Sequence, residues 1–422
     1  MRTPPATDGG GVDVLAVIRA PLEAYPPSLN QVRLLARHGL RVTVADLAPT
    51  LPAEDALAAE PGTARVSLGV QRALEGQDVA LARRLCDHVR FGHGVRRLAA
   101  RLRPAVVLAY DPAAIAAVRR PPGAALVAHF HELPLPATAG GGPLMRRAAR
   151  LAARRAADAD LVLFPDPARA RIYAEATGLP RPPAVAFNCP LAVPDAALPA
   201  DALRPRLAAL GVPAEAPVVL FQGWIGPSRA IAETIRSMPL WPAAARFVLI
   251  GPVRGAQREA LTALAAATGV ARRVLFLGPL PYPALLAHTV GADVGLALVS
   301  PRHEAEPAWR YTAGAVNKRF EYMAAGIAQV ASTGPGMAEI VAAPGAGLLV
   351  DPDDPAAIGA AVARLLTRPE ERRAMAARAR RAHLERFSYE AQFAPVLTRI
   401  EALAAARCPA RHPLPPVIPR PA

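Results

Sequence analysis

Residues 12–45, VDVLAVIRAPLEAYPPSLNQVRLLARHGLRVTVA, decide the fold class. The stretch 12–18 is a β-rich, largely apolar run that suits a buried strand. A Pro-containing loop, 19–27, follows. Ser28 stands where a helix cap is expected, ahead of apolar positions Leu29, Val32, Leu35 and Leu40. Residues 41–45 (RVTVA) read as a second strand. A strand–loop–helix–strand opening implies a parallel sheet.

The alternation continues outward. Short apolar runs at 105–109, 125–128, 161–164 and 185–187 are separated by helical stretches. Between 189 and 217 the texture changes, with Pro190, Pro194, Pro199, Pro205, Pro213 and Pro217. A second series then runs through 218–222, 246–251, 274–277, 294–298, 329–331 and 347–350. Residues 355–367, 368–386 and 391–405 read as helices, and 1–11 as a flexible lead-in. The expected organisation is α/β, with two Rossmann-like doubly wound domains facing a cleft. The first spans 12–190, a Pro-rich linker 191–216, and the second 217–385. A last helix at 386–405 is expected to pack back on the first domain, ahead of a disordered tail at 406–422. Open parallel sheets bind ligands beyond the carboxyl ends of their strands.

Composition narrows the classes. In 422 residues, 52% are apolar and 20% charged, enough for a sizeable core and against a disordered chain. Cys86, Cys189 and Cys408 are far apart and odd in number, which argues against a disulfide framework or a zinc ribbon. No apolar run is long enough for a membrane-spanning helix, and the N-terminus has no continuous apolar core of a secretory signal. The expected setting is cytoplasmic. The net charge is +15, and of 49 basic residues Lys318 is the only Lys. Asn is equally scarce, at Asn30, Asn188 and Asn317. Such bias reflects a GC-rich genome, and against it the neighbours Asn317 and Lys318 mark one place.

That place is 315–339, AVNKRFEYMAAGIAQVASTGPGMAE. Residues 317–325 read as a short helix closed by Gly326, followed by a strand at 329–331 and the loop 332–336. A helix N-terminus with a lysine in its first turn is an anion site, suited to a diphosphate. Glu321 lies one turn on, about 5 Å along the axis, where a carboxylate can accept from the vicinal hydroxyls of a ribose. A Lys and a Glu three apart also make an ordinary surface pair, and spacing alone leaves both readings open.

The run NKRFEYMAAGIAQVAS followed by GPGMAEIV resembles the nucleotide-sugar motif of retaining GT-B glycosyltransferases, glycosyltransferase family 4 (group 1). FQGWIGPSRAIAETI, FVLIGPV, RVLFLGPLPYPALL and ADVGLALV resemble that family's C-terminal domain in the right order. ALVAHFHELP, ADLVLFPDPARARIYAEATG and FNCPL resemble its N-terminal half. The resemblance spans roughly 12–400. It implies an acceptor-side first domain and a second domain that binds the nucleotide sugar. Residue by residue, Glu321 would bind the donor ribose. Lys318 and Arg229 would neutralise the diphosphate, and Gly223 and Gly226 would let the backbone approach it. Gly278 to Tyr282 would lie beside the nucleobase. Gly314, Ala315, Val316 and Asn317 would sit near sugar and phosphate, and His131 would face the reacting sugar. The family normally needs no metal and no cofactor beyond the donor, and it retains anomeric configuration.

Two positions depart from the pattern. Many relatives carry a glutamate eight residues before Glu321, where this chain has Ala313. Many carry a basic residue after the first glycine, where this chain has Trp224.

His129 and His131 alternate in AHFHE and would share a strand face, with Glu132 pointing the other way. His131 reads either as a strand-end histidine bonded to backbone or as a contact to donor sugar or acceptor. No third ligand beside the two His supports a metal site. Arg146, Arg147, Arg150, Arg154 and Arg155 fall on one helix, with Leu144, Ala148 and Leu151 on an apolar face. Arg90, Arg96, Arg97, Arg101 and Arg103 form a second cluster. These read as an anionic-membrane surface or as a solvated face. No interleaved aromatics or motif point to nucleic acid.

Three functions follow. The first is transfer of a sugar from a nucleoside-diphosphate sugar to a glycan or lipid-linked acceptor, in cell-surface polysaccharide or glycolipid assembly. The second is a nucleotide-sugar epimerase, which would need acid/base groups beyond His131, Glu132 and Glu304. The third is a catalytically silent nucleotide-sugar binder, motivated by Ala313. A dehydrogenase is disfavoured, because the glycines at 9–11 and 140–142 read as loops and no GxGxxG follows a strand.

Overall fold

The opening run forms strand β1, Val14–Val17, with every residue buried. It is flanked by parallel neighbours on both sides, so its apolar character is continuous and not alternating. In the computed structural model, residues 12–48, 55–70, 81–137, 142–303 and 310–407 are described. The lead-in 1–11, most of the tail 406–422, Cys408 and Glu304 lie outside them, as do the glycines at 9–11 and 140–141.

The described chain divides into two units. The first comprises residues up to Ala186 and those from Phe393 onward. Its strands continue with β2 Val42–Ala48, β3 Thr63–Val70, β4 Val106–Tyr110, β5 Ala125–His129, β6 Leu161–Phe164 and β7 Ala184–Val185. They are parallel, in the order β3-β2-β1-β4-β5-β6-β7. Helices α1 Pro26–Arg37, α2 Leu81–Leu102, α3 Asp111–Ala117, α4 Gly142–Ala157 and α5 Pro167–Thr177 alternate with them. Ser28 is not the cap of α1. Pro26 and Pro27, with preset φ and no N–H to lose, take its first positions and place Ser28 inside the helix, fully buried. On α4 the inward face is made of Ala148, Ala149, Ala152 and Ala156, while Leu151 and Met145 point outward.

The second unit, Phe187–Gln392, holds β8 Val218–Gln222, β9 Arg246–Ile250, β10 Val274–Gly278, β11 Val294–Ala297, β12 Ala328–Ser332 and β13 Gly347–Val350. They too are parallel, in the order β10-β9-β8-β11-β12-β13. The direction of winding reverses between β8 and β11, the switch point at which a Rossmann sheet binds its ligand. Helices α6 Leu203–Ala208, α7 Ile231–Ser237, α8 Gly255–Ala267, α9 Tyr282–Thr289, α10 Asn317–Ala325, α11 Pro355–Thr367 and α12 Pro369–Glu385 belong to this unit. Helix α13, Tyr389–Arg407, starts in the second unit and continues in the first, where Arg407 donates to Asp160 (2.9 Å).

The stretch 191–216, expected as a linker, is an integral part of the second unit. Leu203 and Leu207 are buried, Arg204 pairs with Asp293 (2.6 Å), and Asp195 pairs with Arg380 of α12 (2.8 Å). Its prolines include Pro205 within α6, and proline density alone does not distinguish such a packed segment from a hinge.

Helix α10 is held on the switch point by Tyr322. The buried phenol lies 3.2 Å from the Leu220 carbonyl on β8 and 3.1 Å from the Leu296 carbonyl on β11. Its ring occupies the space that a side chain on Gly295 would need, with a Cβ there falling 2.5 Å from the ring. Gly326 closes α10 at φ 67°, as its position in the sequence indicated.

Candidate active site

The second unit brings Gly223, Gly226, Arg229, Lys318 and Glu321 to the carboxyl end of β8. Gly223 has φ 104°, and a Cβ on it would lie 3.6 Å from Lys318 Nζ, so the ammonium rests against this glycine. Lys318 Nζ also lies 3.8 Å from the centre of the Phe221 ring. The lysine is buried, and no hydrogen bond or ion pair joins it to a described residue. Burial, then the nearby Arg229, and also Arg319, pull its pKa well below the ordinary value, against the opposing effect of Glu321. A buried cation so placed favours an anionic guest.

Glu321 is half-buried and not ion-paired to Lys318, so the surface-pair reading fails. Its Oε2 accepts from Gln222 Nε2 at 2.5 Å. Burial raises its pKa, while the Gln222 hydrogen bond and the Lys318 charge oppose that rise. The loop before α10 is tied down from two sides. Arg319, fully buried, donates to the carbonyls of Thr312 and Ala313. Asn188 donates through its backbone to Gly314 O (2.8 Å) and through Nδ2 to Ala315 O (3.0 Å). Val316 gives α10 no side-chain cap, so the first N–H groups of Asn317 and its successors are open to a ligand.

Glycines line the neighbouring strand ends. A Cβ on Gly251, φ 149°, would fall 1.9 Å from the Gly223 carbonyl, so only glycine fits there. Gly251 N–H in turn donates to Gly278 O (3.0 Å). Gly278 and Tyr282 stand at the end of β10, two strands and about 10 Å from β8. Trp224 folds its ring over Gly226, where any Cβ would collide at 2.2 Å, and Arg229 lies 5.7 Å from that ring.

His131 belongs to the first unit. Its Nδ1 lies 2.7 Å from Asp111 Oδ2 and its Nε2 2.9 Å from Ser28 Oγ, while its backbone N–H donates to Asp111 Oδ1 (2.9 Å). Both ring nitrogens are thus engaged by side chains, so the backbone-bonded reading does not describe it. Asp111 adopts φ 59°, a conformation rare outside glycine and typical of functional sites. His129 is fully buried, 4.5 Å ring to ring from His131, and burial holds its pKa well below the ordinary value. Glu132 turns away to Arg169 (2.9 Å). Among the described residues no cluster of three His, Cys, Asp or Glu could hold a metal ion.

Sequence reasoning did not reach Gln222, Asn188, Arg319, Gly251 or Asp111. Asn188 carried a signal in the scarcity of Asn, and Gly251 in the quoted FVLIGPV.

Residues 216–368, which include β8, the glycine loop and α10, match the family model for glycosyl transferases group 1. The family match thus falls within the second unit. Over 178 residues the chain is 34% identical to the D-inositol 3-phosphate glycosyltransferase of Acidothermus cellulolyticus, covering 40% of this chain and 37% of that protein. The match therefore spans just over a third of that relative's length. Among solved structures, sucrose-phosphate synthase from Thermosynechococcus elongatus is similar with a TM-score of 0.71 and 19% identity, covering 93% of this chain and 100% of that one. Anabaena HepE, solved in complex with UDP and glucose, gives a TM-score of 0.71 at 16% identity with the same coverage. These likenesses show the fold, the two Rossmann-like units of GT-B glycosyltransferases. No helix among the described residues is long and apolar enough to cross a membrane.

Proposed function

We propose that the chain is a retaining glycosyltransferase of the family 4 kind. It moves a sugar from a nucleoside-diphosphate sugar to a glycan or lipid-linked acceptor in cell-surface polysaccharide or glycolipid assembly. One observation carries this reading: the buried ammonium of Lys318 rests on Gly223 at the switch point, with no ion pair to an acidic group among the described residues, and Glu321 stands one turn further along α10. The donor diphosphate supplies the missing negative charge, and its ribose meets Glu321.

Breaking the anomeric C–O bond builds negative charge on the leaving diphosphate. Lys318, Arg229 and the open N–H groups of α10 stabilise that charge from fixed positions, the role a divalent cation has in other transferases. Retention follows when the acceptor hydroxyl attacks on the leaving-group face and its proton passes to a phosphate oxygen, so no protein base is assigned. Ala313, buried, leaves the sugar to be held by the backbone of Gly314–Val316, not by a carboxylate. The UDP bound in HepE makes a uridine nucleotide the first donor to try.

A thermal-shift panel of UDP-, GDP- and dTDP-sugars, with and without magnesium, tests the reading. Ligand at a hundred times its Kd stabilises the native state by about 2.7 kcal/mol. The expected result is a raised Tm with one nucleotide class, indifferent to magnesium and lost in Glu321→Ala. No shift with any of the three favours a silent homologue.

The first unit supports an anionic membrane surface as a partner. Exposed Leu85 and Val89 on α2 and Met145 and Leu151 on α4 stand among exposed Arg90, Arg97, Arg147, Arg150 and Arg154. Arg155 is not part of this surface, since it turns inward to the Ile115 carbonyl (2.9 Å). Sedimentation with vesicles checks it. Binding to phosphatidylglycerol vesicles and not to phosphatidylcholine is expected, and equal or no binding to both removes the membrane from the account.

A further inference from the structure

Gln222 ends the strand VVLFQ, the one polar residue in an otherwise apolar run, and only 1% of it is exposed. A side-chain amide buried this deeply must find partners. It has two, on different helices. Its Nε2 is 2.5 Å from Glu321 Oε2 on α10, and its Oε1 is 2.8 Å from Thr289 Oγ1 at the end of α9.

Chemistry fixes the direction of this chain. An ionised carboxylate only accepts, so the NH2 end of Gln222 faces Glu321. The carbonyl end then needs a donor, and the Thr289 hydroxyl is the one within reach. That hydroxyl has a single proton and a second acceptor at the same distance, the Leu285 carbonyl (2.8 Å). Thr289, Gln222 and Glu321 therefore form a directed relay from α9 through the end of β8 to α10. Its far end occupies one oxygen of Glu321 and leaves Oε1 with no partner among the described residues.

We infer that Gln222 is a positioning residue for the donor site, holding the Glu321 carboxylate in one orientation with Oε1 and the remaining lone pair of Oε2 turned to the ribose hydroxyls. The inference rests on the reading of Glu321 as the ribose acceptor. Without Gln222 the carboxylate is free to rotate and loses the hydrogen bond that opposes burial, so it also protonates more readily. Gln222→Leu keeps the shape of the strand end, and the Thr289 hydroxyl returns to Leu285.

The test is a double-mutant cycle read by calorimetric titration of the full chain with UDP or GDP, whichever gives the larger thermal shift. Gln222→Leu is expected to weaken binding about 10-fold at pH 7 and more at pH 5.5, as the acid limb of binding moves to higher pH. Glu321→Gln is expected to weaken it at least as much. The double variant is expected to match Glu321→Gln within about twofold, because Gln222 acts only through the carboxylate. Thr289→Val, which frees the amide to turn, provides a second and milder variant should Gln222→Leu not fold. Its expected loss is about threefold, and it too should vanish in the Glu321→Gln background. Unchanged binding in Gln222→Leu and Thr289→Val, or losses that add in full to that of Glu321→Gln, overturns the inference while leaving the ribose reading intact. Wild-type affinity in Glu321→Gln overturns the ribose reading itself, and the inference with it.

Discussion

Glu321→Ala lowers kcat/KM for the donor by about 10²- to 10⁴-fold, almost all of it in KM. Two hydrogen bonds from ribose hydroxyls to a carboxylate are each worth about 1.5–3 kcal/mol, and the Gln222 amide is left unpaired as well. The ribose is remote from the anomeric carbon and is bound alike in the ground and transition states, so its loss appears as weaker binding and not as slower chemistry. The fold survives, since Glu321 is half-buried on α10 and Tyr322, not Glu321, fastens α10 to β8 and β11. Steady-state kinetics with varied donor checks this. Unaltered turnover removes Glu321 from the site, and a fall confined to kcat makes it a group that touches the reacting atoms.

Lys318→Met acts on the other parameter. The charge on the leaving diphosphate grows toward the transition state, so a neutral side chain of similar length lowers kcat by about 10²- to 10³-fold. Lys318→Arg also fails, because the ammonium is wedged between the Phe221 ring and Gly223 and a planar guanidinium does not fit that slot. The same lysine sets an alkaline limit. In the empty site its pKa is depressed by burial and by Arg229, whereas a bound diphosphate favours the charged form. Binding therefore takes up a proton once the pH exceeds the empty-site pKa, and affinity falls as pH rises through it. On the acid side Glu321 has a raised pKa, so affinity falls again as pH drops and the carboxylate protonates. Titration in buffers of different ionisation enthalpy is expected to show proton uptake at high pH in the wild type and none in Lys318→Met. Proton uptake that persists in Lys318→Met assigns the effect to another group.

What the sequence disclosed was whatever repeats at a fixed period or is rare in the chain. The apolar runs gave the parallel strands, because a strand covered on both faces has no polar positions. Strand β3, TARVSLGV, escaped because it lies at the sheet edge and alternates, its Arg65 reaching out to Asp46 (2.9 Å). The placement of Asn317 and Lys318 in the first turn of α10, and of Gly326 at its end, was legible because it depends on spacing within one helix. The supporting residues were not. Gln222 acts through Glu321, Asp111 through His131, and Arg319 and Asn188 through the backbone of the loop before α10. For Gln222, Asp111 and Asn188 the partner lies in another element, 20 to more than 100 residues away, and no local spacing records such a pairing; Arg319 reaches back only to Thr312 and Ala313, but its burial is not visible in the sequence. Ser28 was misread for a related reason: two prolines moved the helix start upstream and freed its hydroxyl for a histidine 103 residues further on.

A crystal structure of the full chain with a nucleoside diphosphate tests the central claim most directly. The account predicts both ribose hydroxyls on Glu321 and the diphosphate against Lys318, Arg229 and the first N–H groups of α10, beside Gly223. A diphosphate bound elsewhere, or a ribose that turns away from Glu321, contradicts it.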